Sequence, residues 1–147
     1  LYLERREKVM STTIHPQVSE KNKYWIDKHR YYELKHFCLQ YPLWKKEYQS
    51  FDGYSKQPAG TEIVQDNSRS DPTAKCVEDR EYYLNRMKII EQTAIKTDSI
   101  LGPYILIGVT EGISYNGLKM KHNVPCCRDT YYDLYRRFFW LLSRERG

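Results

Sequence analysis

Three residues that could bind a metal ion lie close together in the last quarter of the chain: His122, Cys126 and Cys127. A structural zinc site needs about four such ligands in tetrahedral reach, usually supplied as closely spaced pairs. The chain has four cysteines but no Cys-x-x-Cys pair. This spacing favours free thiols in a reducing compartment over a zinc site or a disulfide framework. No metal and no other cofactor is predicted.

A second group that could do chemistry is a pair of histidines, His29 and His36, which lie near Asp27 and Glu33. Imidazoles beside carboxylates can exchange protons with a substrate, but on the polar side of a helix such residues usually only meet solvent. The sequence also contains no GxSxG or HExxH motif and no glycine-rich phosphate loop, which are common marks of catalysis. These features predict a protein that is not an enzyme.

Charge is distributed unevenly along the chain. Residues 1–56 carry eleven Lys and Arg against seven Asp and Glu, and residues 113–147 carry seven against three. Residues 57–112 carry six against nine. Two basic ends indicate a polyanionic partner, because lysine and arginine contacts to phosphate dominate the affinity of proteins for nucleic acid. The alternative is an ordinary solvated surface, which a net charge of +5 also allows.

The stretch that follows Gly112 has the pattern of a helix, a turn and a second helix. Gly112 is expected to end the preceding helix, and Ser114 to cap a short one. Asn123 suits a left-handed turn position, with Val124 tucked into the core behind it. The second helix is expected to begin near Cys127 and to run to the C-terminus. Because such a helix can place its first turns in the major groove, we predict a C-terminal helix-turn-helix that binds double-stranded DNA.

Eight residues of this stretch form the predicted DNA contact. Four of them begin the second helix, where base edges and phosphates would be reached, and the others would neutralise phosphate. The eight are Lys119, Lys121, Cys127, Arg128, Thr130, Tyr131, Arg136 and Arg137. Asp129 and Asp133 lie on the same helix and would repel phosphate unless they accept from cytosine or pair with arginine.

Apolar residues on the other side of the second helix are expected to hold it against the rest of the protein. Leu134, Phe138 and Leu141 recur at i, i+4 and i+7, which predicts an inward face. Aromatic and aliphatic residues on adjoining positions are expected to extend it: Tyr131, Tyr135, Phe139 and Leu142.

The elements that precede the helix-turn-helix are also predicted to be helical, so that the whole fold is an all-α helical bundle. Tyr31, Leu34 and Cys38 mark the apolar stripe of a helix that begins near Asp27, and Pro42 suits the start of the next helix. The predicted segments are an N-terminal arm 1–26, a basic helical corner 27–52, a linker 53–71, and a unit 72–147 that ends in the helix-turn-helix.

The unit 72–147 begins with the longest predicted helix. Asp71 is expected to cap it, Pro72 lies in its first turn, and it ends near Thr97. Its apolar stripe consists of Cys76, Tyr83, Met87, Ile90 and Ala94. A turn capped by Asp98 then leads into an apolar helix. The long helix could also serve as a homodimer contact, since a palindromic DNA site requires a two-fold symmetric protein.

A resemblance to known regulators is carried by two segments, GISYNGLKMKHNVP and RDTYYDLYRRFFWLL. They cover about the last quarter of the chain and resemble the promoter-reading helix-turn-helix of sigma factors, and more particularly that of ArpU-type late transcription regulators of Gram-positive phages. This resemblance implies a phage or prophage regulator of transcription, with host RNA polymerase as a candidate partner. Lys119 and Asp129 depart from the pattern, which usually has a small residue and an apolar residue at these positions.

The main alternative is a phage-encoded inhibitor that docks on a host nucleoprotein machine, such as an anti-CRISPR inhibitor of an RNA-guided nuclease. Abundant tyrosine and the acidic residues of the middle segment would suit a basic nucleic-acid channel. These acids include Glu78, Asp79, Glu81 and Glu91. A ring-forming packaging protein is a third alternative. The sequence has neither an apolar leader segment nor a long apolar run, so a cytoplasmic location in the host bacterial cell is expected.

Overall fold

The structure, a computed structural model, describes the backbone of residues 22–55 and 70–147 and the side chains of residues 22–51 and 74–147. Within these ranges the chain forms helices and no strand, which confirms the predicted all-α fold. The helices are α1 Lys28–Leu39, α2 Tyr41–Ser55, α3 Ser70–Thr97, α4 Gly102–Glu111, α5 Tyr115–His122 and α6 Arg128–Arg146. The predicted arm 1–26 and linker 53–71 lie largely outside the described residues.

Helices α1 and α2 follow each other with only Gln40 between them. The carboxylate of Asp27 caps α1 by accepting from the backbone N–H of His29 at 2.9 Å. The expected stripe of α1 is buried, as Tyr31, Leu34 and Cys38 are each at most 1% exposed. Helix α2 runs to Ser55, so the first residues assigned to the linker are helical.

Helix α3 is the long central helix, and it packs against α2, α4 and α6. It begins at Ser70, two residues earlier than predicted, so Asp71 lies inside its first turn and is not its cap. The inner stripe is confirmed in its second half, where Met87, Ile90 and Ala94 are buried. No helix among the described residues combines the length and apolar character that crossing a bilayer requires.

The turn between α3 and α4 is built by Asp98. Its carboxylate accepts from the backbone N–H groups of Ile100 at 2.9 Å and Leu101 at 2.7 Å. Gly102 starts α4 where the two helices approach closely, because a Cβ atom there would lie 2.8 Å from the carbonyl oxygen of Ala94. The turn therefore seats the apolar helix α4 directly on α3.

The core around α6 is largely aromatic. Its fully buried inner side consists of Tyr131, Phe138, Phe139 and Leu142, with Tyr132 and Tyr135 at the margin. Tyr31 of α1 packs edge-on against Phe139, with ring centroids 5.2 Å apart. Of the predicted inward face, Phe138 is fully buried but Leu134 and Leu141 are only partly buried. The four residues predicted to extend this face, Tyr131, Tyr135, Phe139 and Leu142, are all buried. The inward side is therefore centred on them and not on Leu134, because α1 bonds to Tyr135 and α4 contacts Tyr131.

The C-terminal end of α6 is held by Arg30 of α1. The guanidinium group donates to the Ser143 hydroxyl at 3.0 Å and to the Ser143 carbonyl at 2.9 Å, and it pairs with Glu33 at 2.8 Å. Carbonyls in the last turn of a helix have no partner within the helix, so Arg30 satisfies one of them. These hydrogen bonds join the first turn of α1 to the last turn of α6 and fix how α6 is oriented relative to α1.

Candidate nucleic-acid interface

Both ends of α5 are set by the local signals that the sequence predicted. Gly112 ends α4 in the left-handed conformation, with φ of 69°. The Ser114 hydroxyl caps α5 by accepting from the backbone N–H of Gly117 at 3.3 Å. Asn123 ends α5 with φ of 51°, and its N–H donates to the carbonyl of Lys119 at 3.2 Å. The first helix and the start of the turn are thus where they were expected.

The turn between α5 and α6 is packed and hydrogen-bonded from the α5 side. Leu118 and Val124 are both fully buried, as predicted for Val124. The hydroxyl of Tyr115 donates to the carbonyl of Cys126 at 2.6 Å, and the ammonium of Lys119 donates to the carbonyl of Val124 at 3.2 Å. Lys119 therefore stabilises the turn with its side chain, which explains how this position carries a long residue. Its ammonium group is still exposed and has further protons to donate.

The second helix begins as predicted, with Cys127 as its cap and Arg128 as its first residue. The Cys127 thiol is exposed and lies 3.2 Å from the hydroxyl of Thr130. That hydrogen bond, together with backbone N–H donors of the first turn, lowers the pKa of the Cys127 thiol. Partial burial raises the pKa of the neighbouring Cys126 thiol. Cys127 and Thr130 therefore lie at the surface where the DNA contact was predicted.

Tyr131 is a core residue and not a DNA contact. It is only 1% exposed, and its hydroxyl lies against Gly108 of α4, where a Cβ atom would be 2.2 Å away. Burial raises the pKa of its hydroxyl well above the ordinary value. The prediction that Tyr131 reaches DNA was wrong because the helix turns this position toward α4 and α5. Tyr132 is buried beside it and accepts from the backbone N–H of Tyr115 at 3.1 Å.

The remaining basic residues predicted at the site stay accessible. Lys121 and Arg128 are exposed, while Arg136 and Arg137 are partly buried on α6. The Arg128 guanidinium lies over the ring of Tyr132, 5.5 Å from its centroid. Among the described residues, no carboxylate forms an ion pair with any of these four side chains. Their positive charge is therefore not neutralised within this part of the protein.

Asp133, which the sequence marked as repelling phosphate unless it finds a partner, is an acceptor on the outer side of α6. Asp133 is exposed and lies opposite the buried Tyr131 and Tyr135. An open depression of about 530 Å³ follows this side of the helix, and residues that line it include Arg128, Asp129, Thr130, Asp133 and Arg136. The signal was present in the helical period, since a residue two positions from both Tyr131 and Tyr135 lies on the side of the helix opposite them.

The sequence raised two other kinds of site, a metal site at the cysteines and an acid–base site at His29 and His36. The thiols of Cys38, Cys76, Cys126 and Cys127 are free. Within the ranges 22–55 and 70–147, no group of three or more His, Cys, Asp or Glu residues is arranged to hold a metal ion. His29 and His36 lie exposed on α1, on the far side of its buried stripe.

Comparison with known proteins adds no assignment to this geometry. No protein-family model matches the chain, no curated protein matches it, and no solved structure matches it.

Proposed function

We propose that this protein binds double-stranded DNA, with the first half of α6 in the major groove and α5 close to the phosphates. The observation that carries the proposal is the set of accessible basic side chains without acidic partners on α5 and α6: Lys119, Lys121, Arg128, Arg136 and Arg137. The resemblance of this segment to ArpU-type helix-turn-helix regulators supports a more specific role. In that role the protein is a phage or prophage regulator of transcription.

The geometry of α5 and α6 suits this mode of binding. An α-helix fits the major groove, which is about 12 Å wide, if one side of the helix is free of the protein. The first turns of α6 meet this condition, since Asp129, Thr130 and Asp133 are exposed while Tyr131 and Tyr132 hold the helix from behind. Helix α5 contacts both α4 and α6, so the reading helix is fixed in place before any DNA binds.

The charges supply the affinity in this proposal. Each phosphate neutralised by lysine or arginine adds about −0.9 to the slope of log K against log salt concentration. Lys121, Arg136 and Arg137 are candidates for phosphate contacts, because Lys121 is exposed and the two arginines are partly exposed. Arg128, by contrast, lies over the ring of Tyr132. Removal of Lys121, Arg136 and Arg137 should therefore lower the slope by roughly 3.

The test compares two triple variants that lose the same charge. The site variant is Lys121→Ala/Arg136→Ala/Arg137→Ala, and the control is Lys28→Ala/Lys45→Ala/Lys46→Ala, whose lysines are exposed on α1 and α2. Labelled random duplex DNA is titrated with each protein at two salt concentrations.

We expect steep salt dependence for the wild type, a flattened slope for the site variant, and a slope close to that of the wild type for the control. Equal losses in both variants would show that only overall charge matters. Absence of binding by the wild type at low salt would rule out the proposed function.

A second candidate function is favoured by the outer surface of the first half of α3. Val77 is 53% exposed and Tyr82 is 48% exposed, and the carboxylates of Glu78 and Glu81 are exposed beside them. Exposed aromatic and acidic residues together suit a basic protein surface. This observation favours an inhibitor that docks on a host nucleoprotein machine such as an RNA-guided nuclease. Binding to a protein partner in the absence of nucleic acid, lost in a Val77→Ser/Tyr82→Ser variant, would support it.

A further inference from the structure

Asp133 is an unusual residue for the surface that is proposed to read DNA. It lies in the second turn of α6, exposed and opposite the buried Tyr131 and Tyr135. Arg136 and Arg137 follow it by three and four residues, which places them next to it on the helix surface. A negative charge in the middle of a phosphate-binding surface weakens binding unless it has a specific partner.

The protein itself gives this carboxylate no partner in its described part. The ion pairs found there join Arg30 to Glu33 and Lys96 to Glu145, and neither involves Asp133. The helix dipole does not account for it either. An acid is stabilised by the dipole only within the first turn, which is where Asp129 lies.

The chemistry of the major groove offers one partner that fits. A carboxylate can only accept hydrogen bonds, and the donors in the major groove are the amino groups of cytosine and adenine. In adenine the amino group lies beside the acceptor N7, which repels a carboxylate. In cytosine it lies beside a C–H group, so cytosine is preferred.

We propose that Asp133 is a specificity-determining residue that accepts a hydrogen bond from cytosine N4, so that α6 selects a C·G pair. This inference rests on the proposed function. The open depression along α6 gives a base edge access to Asp133, and Arg128 and Arg136 line the same depression. Arginine pairs with guanine O6 and N7. Arg128 or Arg136 could therefore bind the guanine of the same base pair or of the next one.

The experiment selects preferred sequences from a random duplex library with the full chain and two charge-matched variants. The test variant is Asp133→Asn, and the control is Glu78→Gln, an exposed acid on α3. Dissociation constants are then measured on the selected duplex and on a duplex with C·G replaced by T·A at the selected position. Circular dichroism checks that all three proteins have the same helical content.

For the wild type and Glu78→Gln we expect an enriched cytosine at one position and about tenfold weaker binding after its replacement by thymine. For Asp133→Asn we expect that cytosine to be lost and adenine to be enriched, because asparagine pairs with adenine N6 and N7. If Asp133→Asn selects the same sequences as the wild type, or if the wild type selects none, the inference is overturned while DNA binding stands. Failure of the wild type to bind any duplex at low salt overturns both.

Discussion

The hydroxyl oxygens of Tyr31 and Tyr135 lie 2.8 Å apart and form a buried hydrogen bond between α1 and α6. A buried tyrosine hydroxyl usually needs a hydrogen-bond partner, and here each hydroxyl is the partner of the other. This bond helps to fix the orientation of α6, whose opposite side carries the proposed DNA contact. Tyr131 lies close by on α6, but its hydroxyl has no hydrogen-bond partner in the described part of the chain. The three tyrosines therefore provide a matched set for mutation.

The first prediction concerns the bonded pair. Replacing either Tyr31 or Tyr135 by phenylalanine breaks this buried hydrogen bond, which should lower the free energy of unfolding by about 1–3 kcal/mol. The double variant should lose less than the sum of the single losses, because neither hydroxyl remains. Urea unfolding followed by circular dichroism measures all four proteins. Strictly additive losses would show that the two hydroxyls do not interact.

The second prediction is that Tyr131→Phe behaves differently. The hydroxyl of Tyr131 is buried without a hydrogen bond, so its removal takes away a desolvation cost and no bond. We expect the free energy of unfolding to stay the same or to rise by about 1 kcal/mol. The same urea experiment gives the answer. A loss as large as that of Tyr135→Phe would mean that the Tyr131 hydroxyl has a partner after all.

The third prediction tests the close contact between α4 and α6. In Gly108→Ala the new Cβ atom would lie 2.2 Å from the Tyr131 hydroxyl oxygen and 3.2 Å from the nearest carbon of Leu118. Relieving this overlap requires a shift of the packed ring, which should cost about 1–3 kcal/mol.

In the Tyr131→Phe background the nearest ring carbon is 3.4 Å from that Cβ atom, so most of the cost of Gly108→Ala should disappear. A double-mutant cycle of unfolding free energies measures this coupling. An equal cost of Gly108→Ala in both backgrounds would contradict the contact.

Local signals made the ends of α5 and the start of α6 predictable. Ser114 caps its helix through its own hydroxyl, and Gly112 and Asn123 adopt the left-handed conformation for reasons that lie within a few residues of each. Such features depend on nearby backbone geometry and not on the rest of the fold. The start of α6 after Cys127 followed from the same signals. The all-α class was predictable because the apolar residues recur with a helical period.

Local signals did not decide which side of α6 faces the core. Aromatic and aliphatic residues occupy more than one side of this helix, so its period allows both a face centred on Leu134 and a face centred on Tyr135. Packing of α1 decides between them, because Tyr31 bonds to Tyr135 and packs on Phe139. This contact joins residues about a hundred positions apart, and no local pattern encodes it. The same ambiguity put Tyr131 both in the predicted inward face and in the predicted DNA contact, and its burial agrees with the first placement.

The fourth prediction concerns the loss of stability at alkaline pH. Burial raises the pKa of Tyr31 from 10.0 to about 12, and it also raises the pKa of Tyr135 and Tyr131. The folded state therefore holds protons that the unfolded chain releases above pH 10. The contribution of Tyr31 is complete below pH 10 and is lost as the pH rises from 10 to about 12.

The shift of Tyr31 corresponds to about 3 kcal/mol. The raised pKa values of Tyr135 and Tyr131 act in the same direction, so the free energy of unfolding should fall steeply within this range. Tyrosinate absorbance and helical circular dichroism are followed in the same pH titration, with chemically unfolded protein as the reference. We expect part of the tyrosinate signal to appear only as the helical signal falls. Complete ionisation around pH 10 with the helices intact would mean that the tyrosine core is open to solvent. In that case the bond between Tyr31 and Tyr135 would not hold α6 in the orientation that DNA reading requires.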